Sequence, residues 1–343
     1  MHNINRRKLI TGLLAGGPAI AVGAALPFVG ASSQTRRIIV VGGGPAGVAA
    51  VLAARRADSR VRLILVERDP GRLKPQLKDR HEFLRPSLDG AMELLGRADV
   101  DVALDDIEAI DWASKTAHAL SGRAFVFDEI VLAPGTAVQD EGISGLDAQA
   151  RHRWPAAWGS RREARRLAAQ LAGMPEDGHV VVRLPAGEVS HQQGLAHRAI
   201  RIAQYLNARK TAARLTVLDA TDGLEAADVF ASAAARGGFG GRVRWIGGEE
   251  RARVLAVDAA AGTIETPAGT LKADVVNFIT PQQAGPIAHA SGLVDQSGWC
   301  PCGADQRSLI NPAAFVVGDA NRFARRSIDG AMQSGAKAAQ FFT

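Results

Sequence analysis

The chain has 343 residues, 47% hydrophobic and 22% charged, an ordinary globular composition long enough for two domains, which excludes a disordered or coiled-coil class. The formal net charge is +6, yet residues 1 to 31 hold three basic and no acidic side chains, so their removal would leave +3. Only two cysteines occur, Cys300 and Cys302, which excludes a disulfide framework, a cysteine-rich metal site and an iron–sulfur cluster within the chain.

At the N-terminus, Arg6, Arg7 and Lys8 precede an apolar, Gly- and Ala-rich run from Leu9 to Val29, and Val29-Gly30-Ala31 before Ser32 suits small-residue cleavage. Residues 1–31 read as a twin-arginine signal peptide, which would send a folded protein to the periplasm. A membrane anchor of similar length is the alternative, but Pro18, Pro27 and several glycines weaken it, so no stable membrane insertion is expected.

Residues Ile38 to Glu67 then spell a dinucleotide-binding βαβ unit. A β-branched strand, Ile38 to Val41, runs into Gly42-Gly43-Gly44-Pro45-Ala46-Gly47, an Ala-rich helix follows, and a second apolar strand ends at Glu67-Arg68. Gly42 permits a tight turn, Gly44 clears the approach of a pyrophosphate, and Gly47 lets the helix pack closely on the sheet. The helix N-terminus offers free N–H groups and a positive dipole end to phosphates. Glu67 would accept hydrogen bonds from adenosine ribose hydroxyls and disfavours a 2′-phosphate, so FAD or NAD fits better than NADP.

Arg68 to Arg97 is a charged, proline-interrupted stretch. Val100 to Leu104 and Ile107 to Phe127 alternate like the strands of a β-meander that turns at Ser121-Gly122. Ile130 to Thr136 is an apolar strand ending in the small turn Ala133-Pro134-Gly135, and residues 140 to 160 read as a linker. The arginines between Arg151 and Arg166 form a solvated helix face or a docking surface for an acidic redox partner; no nucleic-acid motif accompanies them. A second α/β unit runs from Val180 through a helix at Leu195 to Asn207 and on to the strand ending at Leu218, but its turn, LPAGEVSHQQG, lacks the nucleotide fingerprint. The chain closes with the strand Ala273 to Ile279, then Phe315-Val316-Val317-Gly318-Asp319 and an Ala-rich helix from Ile328. Asp319 either faces a ligand or caps that helix.

Three separated pieces, GGGPAG at Gly42 to Gly47, LAPGT at Leu132 to Thr136 and FVVGDA at Phe315 to Ala320, resemble in order and spacing the flavoproteins with two dinucleotide-binding domains. Within them, Lys272 to Pro301, the tract RHRWPAAWGSRREARRLAAQL and the twin-arginine leader resemble the flavoprotein subunit of flavocytochrome c sulfide dehydrogenase, and more loosely the sulfide:quinone oxidoreductases. The resemblance implies an α/β fold of two Rossmann-like three-layer domains: a FAD-binding domain in two parts, 36–150 and 273–343, around an NAD-binding-like domain, 151–272. It implies FAD held by Gly42 to Gly47, Glu67, Arg68, Ala133 to Gly135, Gly318 and Asp319, with Asp319 on the ribityl chain. It also implies a periplasmic protein that takes electrons from a reduced sulfur compound and gives them to a c-type cytochrome or another redox protein.

The departures are as informative. The family's two redox cysteines match His191 and Asn321, which cannot form a persulfide, and the tethering cysteine would fall between about Arg72 and Arg85, where the sequence has none, so FAD is expected to be noncovalent. The family's C-terminal domain is not found before Thr343. Cys300 and Cys302 are the weak candidates for catalysis: alternation puts both thiols on one face of an extended strand, as packed inert groups or as a labile redox pair. A catalytically degenerate partner or assembly subunit of sulfur oxidation is the competing reading.

Overall fold

The computed structural model describes residues 35–73, 91–221 and 225–342. The twin-arginine segment and nearly all of the stretch expected to lack a tethering cysteine lie outside the described residues. In chain order the strands are β1 (Arg37–Val41), β2 (Arg62–Glu67), β3 (Asp101–Leu104), β4 (Ile107–Asp111), β5 (Thr116–Ala119), β6 (Ala124–Val126), β7 (Glu129–Leu132), β8 (Thr136–Val138), β9 (His179–Leu184), β10 (Arg214–Asp219), β11 (Val243–Gly247), β12 (Ala256–Asp258), β13 (Thr263–Thr266), β14 (Gly269–Lys272), β15 (Val275–Phe278), β16 (Gln282–Ala284) and β17 (Ala314–Val316). The helices are α1 (Pro45–Ala57), α2 (Ala91–Arg97), α3 (Ala148–Arg153), α4 (Arg161–Gly173), α5 (Gly194–Arg209), α6 (Glu225–Gly237), α7 (Glu249–Ala252), α8 (Pro286–Ala290) and α9 (Ile328–Ala338).

Two parallel sheets organise these elements. The first has the order β17-β7-β1-β2-β3 and the second β11-β10-β9-β15, so in each the chain starts in the middle, winds outward and then crosses back to the other side of its first strand. This is the Rossmann winding, and the crevice beside the first strand is its ligand-binding switch point. Strands buried on both faces need apolar side chains at successive positions. Ile38 and Val40 of β1 pack with α1 and α9, while Ile39 and Val41 pack on the other side with the β4–β6 meander, α8 and the Cys300 segment. The second sheet repeats the pattern, with Val180 and Val182 against α4 and α5 and Val181 against the β12–β14 meander.

Two boundaries differ from the sequence reading. Val102 and Ala103 of β3 pair in parallel with β2, so this strand extends the first sheet and only Ile107 to Val126 forms the meander. β15 pairs with β9, so the return to the first sheet comes after Phe278 rather than at residue 273. In both cases short apolar runs reveal a buried strand but not its partner. The presumed linker also contains α3, which Asp147 caps by accepting from the Ala150 N–H at 2.7 Å.

Candidate functional site

The β1–α1 turn is built from glycines for three separate steric reasons. Gly42 sits at φ +108°, where a side chain would be strained, and a Cβ there would run into the Ala133 carbonyl. A Cβ on Gly47 would occupy the place of the Gly42 carbonyl oxygen, so the first turn of α1 lies directly on the loop. Gly44 has nothing nearer to its missing Cβ than Arg72 Nη1 at 4.0 Å, and thus presents bare backbone to open space. Pro45 at the first helical position supplies no N–H, and no side chain caps α1, so its opening N–H groups face that same space.

The space is a cleft of about 360 Å³, within the range of small-molecule sites. Register brings the C-terminal ends of β1, β2, β7 and β17 to one edge, pairing Val41 with Val66 and with Leu132, and Leu132 with Val316. Gly43 to Ala46, Ala133, Gly135, Gly318 and Asp319 therefore meet on one cavity wall although they come from three distant parts of the chain. Gly318 is at φ +75°, its missing Cβ 2.8 Å from Ala46 Cβ, which holds the GD turn against α1. The capping alternative for Asp319 is excluded, because Ser327 caps α9 by accepting from the Gly330 N–H at 3.1 Å.

Other expected residues stand differently. Glu67 is 4% exposed and lies behind Gly43 rather than on the wall; Oε2 accepts from the Gly43 N–H at 2.6 Å and Oε1 from the Asp69 N–H at 2.7 Å. Its carboxylate thus fixes the glycine loop, with a second lone pair left on each oxygen. Arg68 turns outward to Asp106, 3.6 Å away, and Arg72 lines the cleft in its place. Gly42 and Pro134 support the wall from behind, Pro134 through its carbonyl, which a Cβ on Gly285 would strike.

The opposite wall was not apparent from sequence. It comes from Ala156 to Ser160, Glu163, Thr280 and Gln282. Ser160 caps α4, its hydroxyl accepting from the Glu163 N–H at 3.3 Å, while the Glu163 carboxylate reaches past the cap to accept from the Ala157 N–H at 3.0 Å. Ser160-Arg161-Arg162-Glu163 carries the capping-box pattern in the sequence, but the carboxylate holds the cleft-lining Ala157 instead of the Ser160 N–H. Behind the wall the buried Arg198 donates to the Ala157 carbonyl at 2.8 Å and to Asn277 Oδ1 at 3.0 Å, and lies over the Trp158 ring. Burial pushes the Arg198 guanidinium down to about 10.

The His191 N–H donates to the Arg326 carbonyl at 2.8 Å, in the segment that follows Asn321, and neither His191 nor Asn321 lines the cleft. Cys300 lies beside Asn321: its N–H donates to Ala320 O at 2.9 Å and its carbonyl accepts from Arg322 at 2.8 Å. Both cysteines are free, 0% and 6% exposed, and packed among Ile39, Val316 and Ala320. Burial pushes each thiol up to about 12, so neither is a thiolate near neutral pH.

Among the described residues no cluster of His, Cys, Asp and Glu could hold a metal ion, and no helix is long and apolar enough to cross a membrane. Residues 164–280 match the family described as the central part of the flavoprotein chain of sulfide dehydrogenase [flavocytochrome c]. The fold is that of the sulfide:quinone oxidoreductase from Aquifex aeolicus (TM-score 0.67, 16% identity, 89% of this chain and 76% of that chain). It is also that of an NAD-dependent persulfide reductase from A. fulgidus (TM-score 0.66, 18% identity, 89% of this chain), of whose length the chain spans 58%. Thioredoxin reductase from Lactococcus lactis shares it at 16% identity and TM-score 0.59, over 89% of this chain and 97% of that one. Residues 164–280 thus carry the likeness to the flavoprotein chain of flavocytochrome c sulfide dehydrogenase, and the chain has the fold of the pyridine nucleotide-disulfide oxidoreductases.

Proposed function

We propose that the protein binds FAD noncovalently in the cleft between the β1–α1 turn and the Trp158 wall, and works as a periplasmic redox protein of sulfur metabolism. The observation that carries this reading is the convergence of Gly43 to Ala46, Ala133, Gly135, Gly318 and Asp319 on one cleft at the switch point of the first sheet. The residues fit the group: bare backbone at Gly44 and the uncapped start of α1 suit a pyrophosphate, and Arg72 adds a cation beside it. Both cysteines are buried and neither lines the cleft, which supports noncovalent binding.

When bound, FAD would supply two-electron acceptance from a donor and passage of those electrons to a c-type cytochrome or similar periplasmic partner. The twin-arginine leader supports export of the folded, loaded protein. A reduced sulfur compound is the donor class carried by the family resemblance, but the direct persulfide route has no nucleophile at His191 or Asn321. That absence favours a second reading, a flavoprotein that serves as partner or assembly subunit rather than as the sulfide oxidase itself.

The visible spectrum of the periplasmic protein, recorded anaerobically before and after sulfide and then with cytochrome c, tests both. A flavin band that sulfide bleaches and cytochrome restores supports the oxidoreductase. A flavin band indifferent to sulfide supports the partner subunit, and Cys300→Ser with Cys302→Ser should change neither outcome.

A further inference from the structure

The wall opposite the glycine turn contains one polar side chain, Gln282, whose hydrogen-bond donors have no acceptor among the described residues. Gln282 opens β16 and is 7% exposed, and it lines the cleft. Its Oε1 accepts twice from Ser190, from the backbone N–H at 2.7 Å and from the hydroxyl at 2.9 Å. The Ser190 N–H can only donate, so the atom facing it must be the amide oxygen, and the orientation of the amide is fixed by chemistry. Nε2 is therefore turned the other way, and among the described residues nothing accepts its two hydrogens.

Ser190 is itself held. It is fully buried, and its carbonyl accepts from the Trp158 indole N–H at 2.8 Å, so one residue of the β9–α5 turn aligns both the ring and the amide that face the cleft. The backbone at Gln282 is fixed too: its N–H donates to the Glu188 carbonyl at 2.8 Å, and β16 pairs with β8, Gln282 opposite Val138. The residue as a whole is buried and its amide is oriented, yet its N–H pair finds no acceptor among the described residues at the cavity it lines. The arrangement is that of a preset donor waiting for an acceptor.

Resting on the FAD reading above, we infer that Gln282 is a cofactor-binding residue: Nε2, oriented by Ser190, donates a hydrogen bond to an acceptor atom of the flavin nucleotide in the cleft. The turn that lacks a nucleotide fingerprint would thus serve the first unit's cofactor by aiming a neighbour's side chain at it.

The test is equilibrium binding of FAD to apoprotein, followed by flavin fluorescence, in wild type, Gln282→Leu, Gln282→Glu and Ser190→Ala, with the thermal midpoint of each apoprotein measured in parallel. Gln282→Leu keeps the volume and removes the donor, and should raise the dissociation constant about 5- to 10-fold, the worth of one hydrogen bond. Gln282→Glu keeps an acceptor for Ser190 but turns a carboxylate oxygen to the acceptor-rich ligand, and should weaken binding more than Gln282→Leu. Ser190→Ala should have the smallest effect, since the backbone N–H still orients the amide. Unchanged FAD affinity in both Gln282 variants, with wild type binding normally, would overturn the inference and leave Gln282 a purely structural residue. Wild type that binds no FAD would instead overturn the flavin reading and this inference with it.

Discussion

The two α/β units of this chain are built alike and end differently. In each, an aspartate just before the fourth strand accepts from the backbone N–H of the first strand's opening residue: Asp128 from Arg37 at 2.7 Å and Asp274 from His179 at 2.8 Å. Each returns its own N–H to the same residue's carbonyl, at 2.9 Å in both units. Each second strand ends in an acid, Glu67 and Asp219. The turns then diverge. In the first unit only Gly42 to Gly44 separate β1 from α1, and a bare backbone faces the cleft. In the second, Pro185 to Gln193 intervene, Gly187 is covered by Pro281 with only 2.8 Å left for a Cβ, and Asp219 is spent on the Thr221 hydroxyl and the Trp245 indole. Winding sets where a ligand could lie; the few residues of the turn decide whether it can.

The strongest way to break this comparison is Gly47→Ala. With a carbonyl where the methyl should go, the α1 turn must move, and a loss of about 3 kcal/mol or more is expected together with loss of bound flavin. Gly187→Ala in the second unit should cost less and leave flavin binding intact. Denaturant unfolding and flavin content of the two purified variants measure the contrast.

Next in size is Arg198→Met. It leaves the Ala157 carbonyl and Asn277 Oδ1 without this donor in a buried place and removes the cation from the Trp158 face, for an expected loss of about 2–3 kcal/mol. Unlike a generic core defect, it should also loosen the Trp158 wall, read as faster quenching of tryptophan fluorescence by acrylamide.

How much of this was legible follows the same division. The first unit was readable because steric necessity at Gly42, Gly44 and Gly47 leaves a mark in the sequence itself, and the GD turn at Gly318-Asp319 did the same. The opposite wall was not, because Trp158 and Gln282 belong to segments 124 residues apart that meet only through Ser190. No local pattern announces such a contact. The outward turn of Arg68 and the placement of β3 and β15 failed for a related reason: an apolar run fixes burial, while pairing depends on the rest of the sheet. The burial of Cys300 and Cys302 likewise comes from the packing of a neighbouring sheet face.

The smallest expected effect is a pH dependence confined to the second unit. His179 Nδ1 donates to the Lys272 carbonyl at 2.7 Å, and in the neutral ring Nε2 accepts from the Thr216 hydroxyl at 2.8 Å. Burial lowers its proton affinity below the ordinary 6.5. As pH falls through 6.5 the unfolded chain takes a proton that the folded chain refuses, so stability declines with acidity until the pH passes below the folded value. His179→Gln should flatten that decline in urea melts followed from neutral pH downward through 6.5.

The claim that only the first unit is a dinucleotide site is tested most directly by titrating the apoprotein with FAD and, separately, with NADH under anaerobic conditions. The account predicts one equivalent of FAD, all of it released into the supernatant by acid precipitation, and no NADH binding or bleaching of the flavin band. A colourless protein that refuses FAD at tens of micromolar, or a flavin that NADH reduces within seconds, would contradict it.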